Sequence, residues 1–267
     1  MIRHTCLTFA SLLLWTVGLA AAQPELTLKH IVLIVGENEY HTWETLPEFA
    51  EKELKPRGLK VSLVIAPPSE GDPNFTNWQA IKDADALVVS VRRRTPPKPM
   101  MDLIRQHVAA GKAVVGIRTA SHAFDAQPAD EEHAAWPTFD VDVFGMKYEG
   151  HYGNKPPRDP PTIIKAVPEA VTHPVLAGVP SDEFRVTSHL YKNRKPAGTV
   201  TPLLRGWVEG RAEVEPVAWV FTGNNRRVFY TSLGNPDDFN LPAFRRLLLN
   251  GTLWALNQSV PPAERPQ

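Results

Sequence analysis

The sequence predicts an α/β fold in which helices cover both faces of a mostly parallel central sheet. Four continuous apolar runs are typical of strands buried on both faces; they span His30–Val35, Leu59–Ala66, Ala86–Val91 and Ala113–Ile117. Two segments with helical spacing of apolar residues lie between them, at Thr45–Leu54 and Pro97–Ala110. Strands that alternate with helices at these lengths form βαβ units, which build a parallel sheet.

Glycine and proline residues mark the ends of these elements. Gly36 closes the first strand, and Gly58, shortly after Pro56, ends the first helix. Pro97 lies near the first turn of the second helix, where no N–H donor is needed, and Gly111 ends that helix.

The second half of the chain has a different pattern. Residues 125–161 are rich in Pro, Gly, Asp and aromatic residues, and we predict long loops there. Short strands and one closing helix follow, at Thr162–Val167, Thr199–Leu204, Pro216–Phe221, Arg227–Thr231 and Pro242–Asn257. No repeat or linker interrupts this order, so we predict one domain over residues 23–259 with a Pro-rich tail at 260–267.

Composition limits the class of partner. The 267 residues are 43% hydrophobic, which suffices for one substantial core. Basic and acidic residues balance at 29 each, so no net charge attracts nucleic acid or an anionic membrane. A small molecule is the expected partner, and the sequence gives no indication of oligomeric state.

The N-terminus has the features of a signal peptide. Arg3 and His4 precede an apolar run from Leu7 to Leu19, and small residues at 20–22 provide a cleavage site. The run is short for a membrane span. We therefore expect residues 1–22 to direct export to the periplasm or outside the cell. The only cysteine, Cys6, lies in this segment, so the mature chain has neither a disulfide nor a thiol nucleophile.

Polar residues follow four of the predicted strands where each strand ends. Because parallel strands share a carboxyl edge, we expect these residues to line one crevice. The four segments are Glu37–His41, Arg92–Arg94, Arg118–His122 and Ser232–Phe239. A fifth polar and aromatic segment, Tyr148–Asn154, has the composition of a binding loop.

Imidazole, carboxylate and guanidinium groups dominate this edge, and they suit general acid–base chemistry. We predict proton transfer by His122 or His151, with Glu39 as partner or second acid–base group. Arg118 and Arg92 offer N–H groups to a substrate oxygen. Further substrate contacts are predicted from His41, Tyr40, Tyr152, Asn154, Tyr191, Asn235 and Asp238.

Each candidate also has a purely structural interpretation. Glu39 and His41 would then only flank the following helix, and His122 would be a core histidine. Asp238 would only favour the start of the last helix through its charge. Of the three consecutive arginines, Arg92–Arg94, we expect one to face the crevice and two to be solvated.

Several chemistries lack their sequence motifs. The chain has no Gly-rich dinucleotide or phosphate loop, no His-Glu-x-x-His zinc helix and no Gly-x-Ser-x-Gly elbow. No cofactor is required by the sequence. A divalent metal such as zinc, held by His41, His122 and His151, remains an alternative, although no two of these have ligand spacing on one element.

Five motifs together resemble the ThuA-like (trehalose-utilisation) family. They occur in family order over about residues 29 to 257, at residues 30–41, 90–94, 116–124, 150–154 and 230–239. The resemblance implies a flavodoxin-like three-layer α/β/α fold similar to that of class I glutamine amidotransferases. In those enzymes a cysteine occupies the strand-to-helix elbow where this chain has Arg118. The resemblance therefore implies sugar metabolism without glutaminase activity.

Two functions follow as hypotheses. The first is an exported enzyme, an isomerase, lyase or hydrolase, that acts on a disaccharide or keto-glycoside by acid–base chemistry. The second is a non-catalytic sugar-binding or scaffold protein on an amidotransferase fold that has lost its cysteine.

Overall fold

The computed structural model describes residues 28–69, 71–126, 130–194, 196 and 198–262. The predicted signal peptide and the last five residues of the predicted tail lie outside this range. Within the described residues, no helix has the length and apolar character needed to cross a membrane.

Strands and helices alternate in the first half of the described chain, as predicted. The strands are β1 (His30–Gly36), β2 (Lys60–Ile65), β3 (Ala86–Val91), β4 (Ala113–Ile117), β5 (Lys147–His151), β6 (Thr162–Ala166), β7 (Phe184–Val186), β8 (Tyr191–Arg194), β9 (Val200–Val208), β10 (Val214–Phe221) and β11 (Val228–Thr231). The α-helices are α1 (Thr42–Phe49), α2 (Lys98–Ala109) and α3 (Pro242–Ala255).

Nine of these strands form one sheet, in the order β2-β1-β3-β4-β11-β10-β9-β6-β7. The strands from β2 to β11 in this order are parallel neighbours. From β11 onward, neighbouring strands are antiparallel. The α/β class and the parallel central sheet are confirmed. Because β11 runs parallel to β4, the segments after both strands emerge at the same edge of the sheet.

Side chains of the parallel strands alternate between two core layers. In β1, Ile31 and Leu33 pack in the layer that contains residues of α1 and α3. Val32 and Ile34 pack on the opposite face, in the layer that contains residues of α2. Burial on both faces explains why the sequence shows continuous apolar runs rather than alternation.

The predicted first helix and the predicted loops after residue 125 differ from the structure. The first helix begins at Thr42 rather than Thr45 and continues through a π-helical turn over Ala50–Leu54. The prediction of loops over 125–161 is wrong in part, because this segment contains a π-helical turn at Asp140–Phe144 and strand β5. Strand β5 pairs only with β8 in a two-stranded ribbon and is half-exposed, so it lacks the apolar signal of a core strand.

We expect a buried histidine on α2 to make the fold sensitive to acid. Burial lowers the pKa of His107 to about 4 from an ordinary value of 6.5, and its Nε2 lies 2.9 Å from the Ala113 carbonyl oxygen. The unfolded chain has the ordinary pKa, so its imidazole takes up a proton more readily than that of the folded chain. Above about pH 6.5 this difference has no effect on the free energy of unfolding, which then falls as the pH decreases toward 4.

His107→Gln should therefore flatten the loss of unfolding free energy between pH 6.5 and 4, by up to about 1.4 kcal/mol per pH unit. Urea unfolding at a series of pH values measures this slope. His41→Gln, which removes a mostly exposed imidazole, is the control. An identical slope in His107→Gln and the wild type would contradict the assignment.

Candidate functional site

The segment after β1 is organised around one buried carboxylate. Glu37 accepts hydrogen bonds from the backbone N–H groups of Glu39 (2.7 Å), Tyr40 (2.6 Å) and Thr42 (2.8 Å). It also accepts one from the Thr42 hydroxyl (2.7 Å). These bonds hold the turn in one conformation, which places the Tyr40 side chain beside Arg118.

The segment after β4 turns sharply at Arg118. Its φ of 47° lies in the left-handed region, which non-glycine residues adopt only at a cost of about 1 kcal/mol or more. The Tyr230 hydroxyl on β11 donates to the Arg118 carbonyl oxygen at 2.6 Å. This bond helps hold a strained turn at the carboxyl edge of the sheet, where ligands of α/β folds bind.

The Arg118 guanidinium is buried within this turn. Its Cζ lies 4.1 Å from the ring centre of Tyr40 and 4.7 Å from that of Tyr191. Nη1 donates to the Ser232 carbonyl oxygen at 2.8 Å, whereas neither Nε nor Nη2 has a hydrogen-bond partner among the described residues. Burial alone would lower the pKa of Arg118. The phenol groups of Tyr191 and Tyr40 raise it above its ordinary value, so Arg118 stays charged.

Five rings from three segments meet beside Arg118. The imidazole of His122 stacks on Tyr148 with ring centres 4.5 Å apart, and Tyr148 lies 4.7 Å from Tyr191. His151 lies 6.4 Å from Tyr191 and 5.7 Å from His189. We call these five residues, His122, Tyr148, His151, His189 and Tyr191, the ring cluster.

The three histidines of the ring cluster differ in their ability to carry a proton. Burial, followed by the nearby charges of Arg93 and Arg92, lowers the pKa of His122 to about 3. Burial and Arg118 lower the pKa of His189 to about 4. The same two causes lower the pKa of His151, but Glu39 opposes them. His122 is 6% exposed, whereas His151 is exposed to solvent. His151 is therefore the better placed of the three to exchange a proton with a ligand or solvent.

The three consecutive arginines have three different roles. Arg92 pairs with Glu39 at 3.2 Å, and Arg93 pairs with Asp125 at 3.0 Å. Arg94 is buried, and it donates to the carbonyl oxygens of three residues, Gly36, Asp72 and Pro67. The expectation that two of them are solvated is wrong, because Arg94 finds these backbone acceptors inside the fold.

The loop after β11 is held by a second buried carboxylate. Asp238 accepts hydrogen bonds from the backbone N–H groups of Thr187, Gly234 and Asn235. It also accepts from the hydroxyls of Thr187 and, at 2.5 Å, Ser188. Asp238 thereby joins this loop to the chain just before His189. Its oxygens accept five hydrogen bonds from the protein, so Asp238 holds this loop in position, and its contact with a substrate stays a prediction.

Four other predicted contact residues make protein contacts of their own. Asn154 is buried and hydrogen-bonds to Leu190, Pro160 and Thr162. The Tyr152 hydroxyl donates to Glu215 at 2.6 Å, and the Asn235 amide donates to the Thr187 carbonyl. The His41 imidazole stacks on Trp43 and remains exposed. These contacts hold Asn154, Tyr152 and Asn235 in the loops around the site, and the contacts of His41 place it on the surface of α1; the substrate contacts of these four residues stay predictions.

The histidines predicted as metal ligands do not form a ligand set. Across the described ranges, no group of three or more His, Cys, Asp or Glu side chains is arranged to hold a metal ion. Neither His41, with its ring on Trp43, nor His122, stacked on Tyr148, belongs to such a group.

Three contributors to the site are absent from the predicted set. Tyr148 and His189 lie in segments whose fold depends on β5 pairing with β8, which no local periodicity indicates. The sequence does contain one indication of His189: it lies two residues before Tyr191, and residues with this spacing share one face of a strand. Glu37 is a buried carboxylate, and the hydrogen bonds that it accepts from the turn after β1 identify its role.

The fold and the site together define an α/β protein with an arginine at the tip of a strained strand-to-helix turn. The ThuA (trehalose utilisation) family matches residues 31–255 of the chain. The protein therefore belongs to the ThuA family. The description of this family, trehalose utilisation, relates it to carbohydrates. No curated protein matches the chain significantly.

Solved structures share the fold. A ThuA-like protein from Parabacteroides merdae superposes with a TM-score of 0.65 and 19% identity, covering 90% of this chain and 94% of that one. One from Bacteroides uniformis has a TM-score of 0.57 and 16% identity, covering 88% and 95%. Agd3, a carbohydrate deacetylase, has a TM-score of 0.51 and 11% identity, covering 86% of this chain and 32% of its own. At these identities the similarity establishes the fold alone.

Proposed function

We propose that this protein acts on an oxidised carbohydrate, such as a keto-glycoside, by acid–base chemistry at the turn of Arg118. Residues 1–22 would direct it out of the cytoplasm. The observation that carries the proposal is the buried Arg118 guanidinium with two unpaired nitrogens. A carbonyl oxygen of the ligand would accept from these groups, and the fixed positive charge would stabilise the enolate formed when a neighbouring carbon loses its proton.

His151 is the group that we propose to move this proton. A base must hold the proton transiently at working pH, and a pKa of about 3 makes His122 too weak for that role. His151 is exposed and belongs to the ring cluster beside Arg118. Glu39 favours its protonated form and thus supports it as a proton carrier. His122 instead stacks on Tyr148 and supports the cluster.

We expect the protein to accelerate exchange of deuterium into a 3-keto-glycoside in heavy water. Abstraction of the proton next to the carbonyl replaces hydrogen by deuterium even when no product accumulates. Proton NMR of the sugar measures the rate against a protein-free sample. His151→Ala should lower the protein-dependent rate by about 100-fold or more, the usual contribution of a general base. His133→Ala, which removes a histidine paired with Asp130 on the surface, should leave it unchanged.

The outcomes separate three cases. Exchange that persists in His151→Ala removes His151 from the mechanism. Binding of the sugar without exchange favours the sugar-binding function. If the sugar neither binds nor exchanges, the proposal is wrong.

A further inference from the structure

We propose that the carbohydrate recognised at Arg118 is a sugar acid, whose carboxylate binds Nε and Nη2 of the guanidinium. This inference rests on the proposed function, because it names the class of carbohydrate that the same site takes. In such a ligand the carboxylate takes the place of the ketone at Arg118: His151 would take the proton from the carbon next to the carboxylate, and the guanidinium would stabilise the extra negative charge that develops on the carboxylate oxygens.

The geometry of the unpaired nitrogens carries the inference. Nη1 is engaged by the Ser232 carbonyl oxygen, which leaves Nε and Nη2 without partners among the residues the structure describes. The N–H bonds of these two atoms are parallel and lie along one edge of a planar group. The two oxygens of a carboxylate match this edge with two simultaneous hydrogen bonds. A single carbonyl oxygen would engage the pair less completely.

The charge of Arg118 also lacks a partner. It is fully buried, and no ion pair to it is found within the described ranges. The Asp238 carboxylate acts on it electrostatically, but five protein donors already occupy the Asp238 oxygens. A buried charge without a partner is costly to the fold. A bound carboxylate would supply both the opposite charge and the missing acceptors.

The surroundings favour an anion of planar shape. Lys155 and Lys192 act with Arg118 to lower the pKa of His151, and Glu39 is the acidic group that opposes them. These three cationic groups add to the attraction for an anion, whereas Glu39 and, at the neighbouring His189, Asp159 reduce it. The rings of Tyr40 and Tyr191 lie close to the guanidinium, and the Tyr40 side chain also acts on it as a hydrogen-bonding group, so Tyr40 has to move before a ligand reaches the in-plane edge. A flat carboxylate extends in that plane, whereas a tetrahedral phosphate would press further oxygens toward the rings.

Binding must be accompanied by a local movement. Both unpaired nitrogens are shielded from solvent, so a covering side chain has to shift before a ligand reaches them. Of the two tyrosines, Tyr40 is the more exposed, at 9% against 1% for Tyr191. We expect the Tyr40 ring to move when the carboxylate binds.

Calorimetry with three methyl glycosides tests the inference. The ligands are methyl glucuronide, methyl glucoside and methyl 3-keto-glucoside, which share the ring and the anomeric group. The wild type should bind the glucuronide at least about 10-fold more tightly than either neutral ligand, as expected for a charge-assisted bidentate pair. Arg118→Lys keeps the charge but loses the planar edge, so binding of the glucuronide should weaken more than binding of either neutral ligand, and most of this preference should be lost.

A matched control separates recognition from folding. Arg226 is also buried with an unpaired Nε, so Arg226→Lys makes the same chemical change elsewhere and should keep the preference. Equal or tighter binding of the 3-keto-glucoside by the wild type would overturn the sugar-acid inference and leave the proposed function standing. An unchanged preference in Arg118→Lys would also overturn it. If the wild type binds none of the three ligands, both proposals fail, and this readout does not depend on whether a variant folds.

Discussion

Asp238→Ala should lower the free energy of unfolding by about 3–5 kcal/mol, because it leaves several buried donors without an acceptor. The donors belong to the loop after β11 and to the segment at Thr187 and Ser188. Loss of this connection should also release His189 from its place beside His151. Urea unfolding followed by circular dichroism measures the stability change.

The neighbouring residue provides a close control for this substitution. Asp237 is exposed, so Asp237→Ala should change stability by no more than about 0.5 kcal/mol. A loss below about 1 kcal/mol in Asp238→Ala would show that water replaces the carboxylate, and the positioning role would then be wrong.

Glu37→Ala should produce the second largest effect, a loss of about 2–4 kcal/mol together with weaker ligand binding at Arg118. The Glu37 carboxylate accepts four hydrogen bonds from the turn that carries Tyr40. Glu37→Gln retains one of the two acceptor oxygens, so its loss of stability should be intermediate. Unfolding measurements give the stability series, and calorimetry with the preferred glycoside gives the affinity series.

An exposed glutamate on α1, the helix that follows this turn, serves as the comparison. The Glu44 side chain is 67% exposed, so Glu44→Ala should leave both stability and affinity close to the wild type. If Glu37→Ala lost stability but bound ligand normally, the turn after β1 would have no part in the site.

The two carboxylates, Glu37 and Asp238, serve a common purpose at the carboxyl edge of the sheet. Each one accepts hydrogen bonds from backbone N–H groups of the segment that follows a strand of the sheet, β1 for Glu37 and β11 for Asp238. Loops fixed in this way keep their positions beside the buried charge of Arg118. Such positioning is what electrostatic stabilisation of a developing anion requires.

The parallel half of the sheet could be predicted because its signal is local. Strands β1, β3 and β4 are buried on both faces and therefore appear as unbroken apolar runs. Arg118, directly after β4, could likewise be placed at the edge from its position in the chain. The ribbon of β5 and β8 could not be predicted, because its stability comes from a partner about 40 residues away.

The residues of the candidate site could also be predicted only in part. The structure brings together three of the predicted residues, His151, Arg118 and Tyr191. Three others, Asn154, Tyr152 and Asp238, have polar groups that are occupied by protein partners. Whether a polar group is free or occupied depends on its three-dimensional neighbours, and residue type does not reveal it.

The sequence by itself determined the fold class, the family and the absence of a thiol from residues 31–255. These follow from hydrophobic patterning, the order of the motifs and the absence of cysteine after residue 6. Only the tertiary structure decided which groups remain available to a ligand. Burial lowers the pKa of His122 to about 3, and the Ser232 carbonyl takes Nη1 of Arg118 but leaves its other edge unpaired. Both effects arise from residues far apart in the chain, because desolvation and hydrogen bonding depend on what the folded chain places around each group.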